Sequence, residues 1–251
     1  MKISFVIPAY NEAARIGGCL GSIQREIAAV GPRRSNMETE IIVVNNASTD
    51  ATKTIAQGFA GVRVVDEARK GLVWARQAGF EASSGDLIAN IDADVLLPEG
   101  WLDTVLEAFI KDKRLVCLSG PFVYYDLSAL QRGMVKFFYF FAFLLYLFNR
   151  FVLRVGSMVQ GGNFVLRREA LVAAGGYDTS ITFYGEDTDV ARRMIKFGKV
   201  AWTFRLPVYT SGRRIKEEGI VTTSLRYTAN YFWVTFFGKP FTHQYKDIRP
   251  E

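Results

Sequence analysis

Short apolar runs alternate with stretches of helical spacing along the first half of the chain, and this alternation limits the possible folds more than any other feature. Ile3–Pro8 is a β-type run, after which Ala13, Ile16, Leu20, Ile23, Ile27 and Val30 recur three or four residues apart, the period of one helix face. Glu40–Val44 reads as a second buried strand, Ser48 as the N-cap of a helix through Phe59, and Val62–Val65 as a third strand. A helical stretch near Val73–Ala82, a strand Asp86–Ile91 and a helix with Trp101, Leu102, Val105, Leu106, Phe109 and Ile110 on one face complete the series. Strands and helices in this order predict an α/β fold with a mostly parallel central sheet flanked by helices. A length of 251 residues suits one such domain.

In sheets of this kind the ligand crevice lies beyond the carboxyl ends of the strands. The loops after Ile7, Val44 and Ile91 are accordingly the polar ones: Pro8-Ala9-Tyr10-Asn11-Glu12, Asn45-Asn46-Ala47-Ser48-Thr49-Asp50 and Asp92-Ala93-Asp94. The lone histidine, His243, lies in the C-terminal tail, which sets aside His-based triads and multi-His metal sites and leaves acid–base chemistry to carboxylates. Cys19 and Cys117 sit in apolar-periodic stretches without CxxC spacing, so buried reduced thiols and a reducing, cytoplasmic compartment are expected. The N-terminus enters a strand at once, without the apolar run of a signal peptide. Lysine and arginine total 31 against 25 acids, a net charge of +6. That excess suits phosphate-bearing ligands or an anionic membrane surface; nucleic acid, which charge alone does not exclude, is not the expected partner.

Beyond Tyr124 the alternation gives way to an apolar helix, Met134–Val155, whose middle, Phe137–Phe148, is mostly aromatic or leucine and carries no charge between Lys136 and Arg150. Twelve such residues fall short of the ~20 that span a bilayer, so an in-plane or buried helix is expected. A second aromatic cluster, Tyr227, Tyr231, Phe232, Trp233, Phe236 and Phe237, precedes Lys239. Two aromatic segments with basic flanks suggest a membrane-facing surface; helices packed on each other and on the sheet are the alternative.

Two carboxylates in Asp92-Ala93-Asp94, at the end of a strand, can turn into one crevice. Their hard oxygens suit Mg²⁺ or Mn²⁺ bound together with phosphate oxygens, and capping of a turn is the plainer alternative. Glu186-Asp187-Thr188-Asp189 precedes the helical stretch Val190–Phe197, where acids also favour a helix N-terminus. Arg213 and Arg214 can grip a pyrophosphate or phospholipid, or form a solvated turn.

Over residues 3–215 the chain resembles the inverting glycosyltransferases of family 2. The resemblance is carried by Val6–Glu12, Glu40–Asp50, Lys70-Gly71 with Arg76, Asp92-Ala93-Asp94, Gly161-Gly162-Asn163-Phe164, Gly175-Gly176-Tyr177-Asp178 and Gly185-Glu186-Asp187. It implies a Rossmann-like GT-A fold with a nucleotide-sugar-binding half (1–125), an acceptor half (126–215) and a C-terminal amphipathic segment (216–251). It further implies donor contacts from Pro8, Ala9, Tyr10, Glu12, Asn45, Asn46, Lys70, Arg76, Asp92, Ala93 and Asp94, with Asp94 on the metal. Gly162, Asn163, Glu186, Arg213 and Arg214 would meet acceptor or phosphate, and Asp187 would be the catalytic base. Many members carry acids where this chain has Asn45-Asn46; asparagine can still read uracil, or another base edge, so a UDP-sugar is the preferred donor. The QxxRW signature of processive synthases is absent, which favours addition of a single sugar. The expected enzyme transfers that sugar to a hydroxyl acceptor, polyprenyl- or glycerolipid-linked, at the cytoplasmic membrane face. A sugar nucleotidyltransferase would want glycine and lysine in Pro8–Glu12, which has neither; a non-catalytic nucleotide-binding or membrane-recruitment module would have no need of Asp92, Asp94 and Asp187 together.

Overall fold

The computed structural model describes residues 1–34, 36–153, 158–181 and 183–242. His243 and residues 154–155 of the expected apolar helix lie outside them. The strands β1 (Lys2–Ala9), β2 (Glu38–Asn45), β3 (Val62–Asp66), β4 (Leu87–Ile91), β5 (Leu115–Ser119), β7 (Asn163–Arg167) and β8 (Lys199–Trp202) form one sheet in the order β3-β2-β1-β4-β7-β5-β8. All pairings are parallel except those of β7, which runs against both β4 and β5. β6 (Phe122–Tyr124) and β9 (Val208–Thr210) make a small parallel pair beside it. The expected mostly parallel sheet is present.

Ile3, Phe5 and Ile7 of β1 face one layer and Val6 the other, all fully buried, as a central strand covered on both faces requires. α1 (Ile16–Val30) and α4 (Trp101–Lys111) cover the first face, and α3 (Leu72–Ala82), α6 (Arg168–Ala173) and α7 (Glu186–Met194) the second. Gly79 lets α3 lie directly on β1, since a Cβ there would come within 2.2 Å of Val6. Both cysteines are buried free thiols, as expected.

Three local expectations are corrected. α2 spans only Thr52–Gln57, because Ser48 is spent on the Asn11 amide while Asp50 accepts the Thr52 N–H at 2.9 Å. Ile110 falls off the buried stripe of α4 and is exposed. The apolar helix, α5, begins earlier, at Ala129, and runs 20 residues to Phe148. Its start is set by a capping box in which Ser128 and Gln131 bond each other's backbone N–H groups, a pairing written in the sequence as Ser-x-x-Gln.

By length and composition α5 is therefore long and apolar enough to cross a membrane, and only 11% of its apolar window is buried, so it is not a core helix. It packs inward through Val135, Tyr139 and Tyr146 against Trp202, Leu127 and Ile215. Leu130, Met134, Phe137, Phe141, Leu144 and Phe148 stand outward at alternating steps of four and three, with Phe137 67% exposed. α8 (Arg213–Glu218) and α9 (Ile220–Phe237) complete the chain's described helices, and α9 likewise exposes Trp233, Phe236 and Phe237.

Candidate active site

The carboxyl ends of β1, β2 and β4 open on one side of the sheet, and their loops are laced together there. Asn46 N–H donates to the Ala9 carbonyl at 2.8 Å, Glu12 N–H to Thr52 Oγ1 at 2.8 Å, and Asn11 Oδ1 accepts the Thr49 N–H at 2.9 Å. Asn11 and Ala47 hold positive φ angles of 49° and 59°, sparsely populated for side-chain-bearing residues and sustained by that lacing.

Because β7 is reversed, its beginning reaches the same rim and brings Gly161 and Gly162 with it. Gly162 holds a φ of 80°, and a Cβ on it would sit 2.3 Å from Asp92 Cγ. A Cβ on Gly161 would lie 3.3 Å from Asp187 Oδ2, and the Gly161 N–H donates to that oxygen at 3.0 Å. Consecutive glycines thus seat Asp92 and Asp187 side by side. The other Asp187 oxygen accepts the Thr188 N–H at 2.7 Å, in the first turn of α7 behind the left-handed Gly185. Both bonds, with Arg76, favour the carboxylate, but burial outweighs them and pushes the Asp187 carboxyl upward.

Asp94 faces a different partner. Arg213, at the start of α8, bonds Asp94 Oδ2 at 3.1 Å and grips both oxygens of the buried Glu12. Thr210 on β9 reaches Asp94 Oδ1 at 3.4 Å. Burial pushes Asp94 up to about 6, with Arg213 pulling downward and Glu12 and Asp92 adding to the rise. Beneath both aspartates Arg76 is wholly buried; it pairs with Asp92 at 3.3 Å and directly with Glu186, whose carboxyl burial raises to about 8 against that pull.

A cavity of about 440 Å³ joins Pro8, Tyr10, Glu12, Asp92, Ala93, Asp94, Asp187, Arg213 and Arg214. Lys70 stands at its edge, donating to the Tyr10 hydroxyl at 2.7 Å. The other expected contacts lie elsewhere, each for a physical reason. Arg76 and Glu186 face inward as a buried pair. Asn46 is buried, with its amide hydrogens on the Glu67 and Arg69 carbonyls and its oxygen accepting the Gly71 N–H. Asn45 is buried and bonds Asp66 at 2.8 Å. Asn163 is fully buried, donating to the Gly120 and Leu206 carbonyls and accepting from Trp101. Ala9 is buried and offers its carbonyl to Asn46, and Gly162 packs on Asp92. Tyr177 and Tyr184, beside these motifs, are buried.

Thr210, Gln160 and Tyr227 also line the cavity and were not anticipated. β9 is three residues long and takes its place by pairing with β6 and by backbone bonds between Tyr209 and Leu96, so no local pattern could have flagged Thr210.

Carboxylate oxygens of Asp94 fit a hard divalent cation. Among the described residues no cluster of three His, Cys, Asp or Glu could hold one alone, so remaining ligands would come from substrate phosphates and water, the usual arrangement for Mg²⁺.

Known proteins bear on this geometry. The glycosyltransferase AglE of Haloferax volcanii is 32% identical over 106 residues, covering 40% of this chain and 33% of its own length. A dolichol-phosphate mannosyltransferase of Pyrococcus furiosus is 30% identical over 127 residues, covering 49% and 34%. The matches thus span about a third of each curated relative. Among solved structures, the mannosyltransferase PcManGT of Pyrobaculum calidifontis, in complex with GDP-Man and Mn²⁺, superposes with a TM-score of 0.66 at 20% identity, over 94% of this chain and 63% of that one. Glucosyl-3-phosphoglycerate synthase of Mycobacterium tuberculosis, with Mn²⁺ and UDP-glucose, gives 0.60 at 21%, over 95% and 80%. These likenesses show the Rossmann-like GT-A fold. The sequence model of glycosyl transferase family 2 matches residues 4–173, more than half of the sequence, and the chain belongs to that family.

Proposed function

We propose that this chain transfers a single sugar from a nucleoside-diphosphate donor to a hydroxyl acceptor, with inversion at the anomeric carbon and Asp187 as the base. The observation that carries this reading is the shared cavity: Asp187 faces the same space as Asp92, Asp94 and Arg213. A base and a diphosphate cradle can therefore address one sugar carbon. Asp187, held by two backbone N–H groups, is fixed in orientation and ready to take the acceptor's proton. Arg213, which pairs with Glu12 and Asp94 at the cavity wall, would set its positive charge against the negative charge that develops on the departing diphosphate. A divalent cation on Asp94 would further neutralise the departing diphosphate. Donors among the structural neighbours carry either guanine or uracil. UDP remains the preferred nucleotide.

Calorimetry of UDP, GDP, CDP and ADP, with and without Mn²⁺, tests this assignment. One diphosphate should bind selectively and tighter with metal, and Asp94→Ala should lose that metal-dependent gain. Absence of binding to all four by the folded protein would leave a non-catalytic module instead.

The acceptor is read as lipid-linked and the enzyme as peripheral on the cytoplasmic face of a membrane. Support comes from the outward stripe of α5, whose opposite face is fixed to the domain, the arrangement of a helix lying in an interface. A relative acting on dolichol phosphate and the buried free thiols agree with it. Anionic vesicles should sediment the protein at low salt and release it as salt rises, and Phe137→Glu with Phe148→Glu should abolish the binding. Failure of the unaltered protein to bind at low salt would refute the membrane assignment.

A further inference from the structure

The cavity that holds Asp187 does not end at the carboxylates. It continues between α5 and α9, walled by Val135, Phe138 and Leu145 on one helix and Ile220, Tyr227 and Tyr231 on the other. These positions recur at helical steps, so each helix turns one face to the trough. The helices run side by side. Ile220 joins the apolar cluster of Val135 near their beginnings, and Asn149, just past α5, donates to the Tyr231 hydroxyl at 2.7 Å. About ten residues of each helix border the space, which at 1.5 Å per residue makes it roughly 15 Å long. Thr223, also on the wall, turns its hydroxyl to the Gly219 carbonyl at 2.8 Å; Ser224 and Thr228 are further polar points along α9. Phe141 lines the trough and is also half exposed in the outward stripe of α5. The trough and that stripe are therefore one continuous apolar surface leading to Asp187.

We propose that this trough is a hydrocarbon-chain subsite: the alkyl or isoprenyl tail of the acceptor lies between α5 and α9, entering sideways past Phe141, with its polar head beneath Asp187. The proposal rests on the lipid-linked reading above and gives it a location. A small polar acceptor would leave this length of apolar wall uncovered, whereas a chain buries it and gains affinity with every methylene.

Calorimetric titration of the full chain with farnesyl phosphate and with dimethylallyl phosphate, both below micelle concentration, tests it. The longer chain should bind at least about tenfold tighter, and dodecyl phosphate in a parallel arm separates alkyl from isoprenyl preference. Ala142→Phe on α5, which fills the trough, should erase the difference, and Thr228→Phe on the facing helix should do the same if the first variant folds poorly. Nonspecific adhesion would instead increase with the added ring. Equal affinities for short and long chains, or a chain-length preference untouched by both variants, would overturn the subsite. Manganese-dependent diphosphate binding, measured on the same samples, reports the transferase reading separately, so the two can fail independently.

Discussion

Replacing Asp187 with asparagine is expected to lower kcat by about 10²–10⁴-fold, the usual contribution of a positioned base, with the affinity for nucleoside diphosphate nearly unchanged. The separation follows from the geometry. Asp187 meets the cavity from the first turn of α7, while Asp94 and Arg213, proposed to meet the metal and the diphosphate, stand on the loop after β4 and at the start of α8. Both Asp187 oxygens accept backbone N–H groups, so the amide would turn a donor toward a donor and cost about 1 kcal/mol of stability. A melting measurement separates that effect from lost chemistry. Because burial raises the Asp187 carboxyl, the unaltered enzyme should lose kcat as pH falls through a value above the ordinary carboxylate range, and the variant should lack that limb. Transfer at the normal rate by the asparagine variant would assign the base elsewhere.

Arg76→Met should destabilise the fold by about 3–5 kcal/mol, the cost of breaking a buried ion pair from one side. The Arg76 side chain is 0% exposed and that of Glu186 6%, and the guanidinium also holds Asp92. Without it, Glu186 must be buried either charged and unpaired or protonated. Its carboxyl, already raised to about 8 from 4.5, would rise further, so the folded variant binds a proton the unfolded chain has released. The sign follows: up to about pH 8 both folded proteins hold that proton, so the deficit should stay level, and it should grow above about 8, where Glu186 ionises beside Arg76 in the unaltered protein but not in the variant. Chemical denaturation across that range measures it. Glu186→Leu in the same chain should recover most of the loss, and a double-mutant cycle without coupling would show that the pair is not one unit.

Much of this architecture was legible in the sequence. Buried strands announced themselves as unbroken apolar runs, helices by their period, and Asp92-Ala93-Asp94 by standing where a strand must deliver its loop. The inward turn of polar groups was not legible. Asn46, Asn163, Arg76 and Glu186 occupy the expected motifs, yet they are buried beneath the crevice and bond partners distant in sequence, such as Trp101 and Leu206 for Asn163. A motif marks which residues gather at a site but not which of them support it from below. The length of α5 was not legible for a different reason: Arg132 and Lys136 interrupt the charge-free run, yet the helix carries them on its outer surface while the apolar stripe runs on.

The reversed strand β7 also determines how the molecule can change. The chain leaves the sheet at the end of β5 and returns at the beginning of β7, and antiparallel pairing places both points at one rim, Ser119 opposite Phe164. Everything between them, including β6 and α5, hangs from that rim as a cassette with adjacent ends. Its length can vary at little entropic cost, and it can be exchanged between relatives without rethreading the sheet or disturbing the loops after β1 and β2. On the proposed function this segment supplies α5, one wall of the trough, and none of the loops after β1 and β2, so chimaeras spliced at Gly120 and Gly162 should alter acceptor choice and leave metal-dependent diphosphate binding in place.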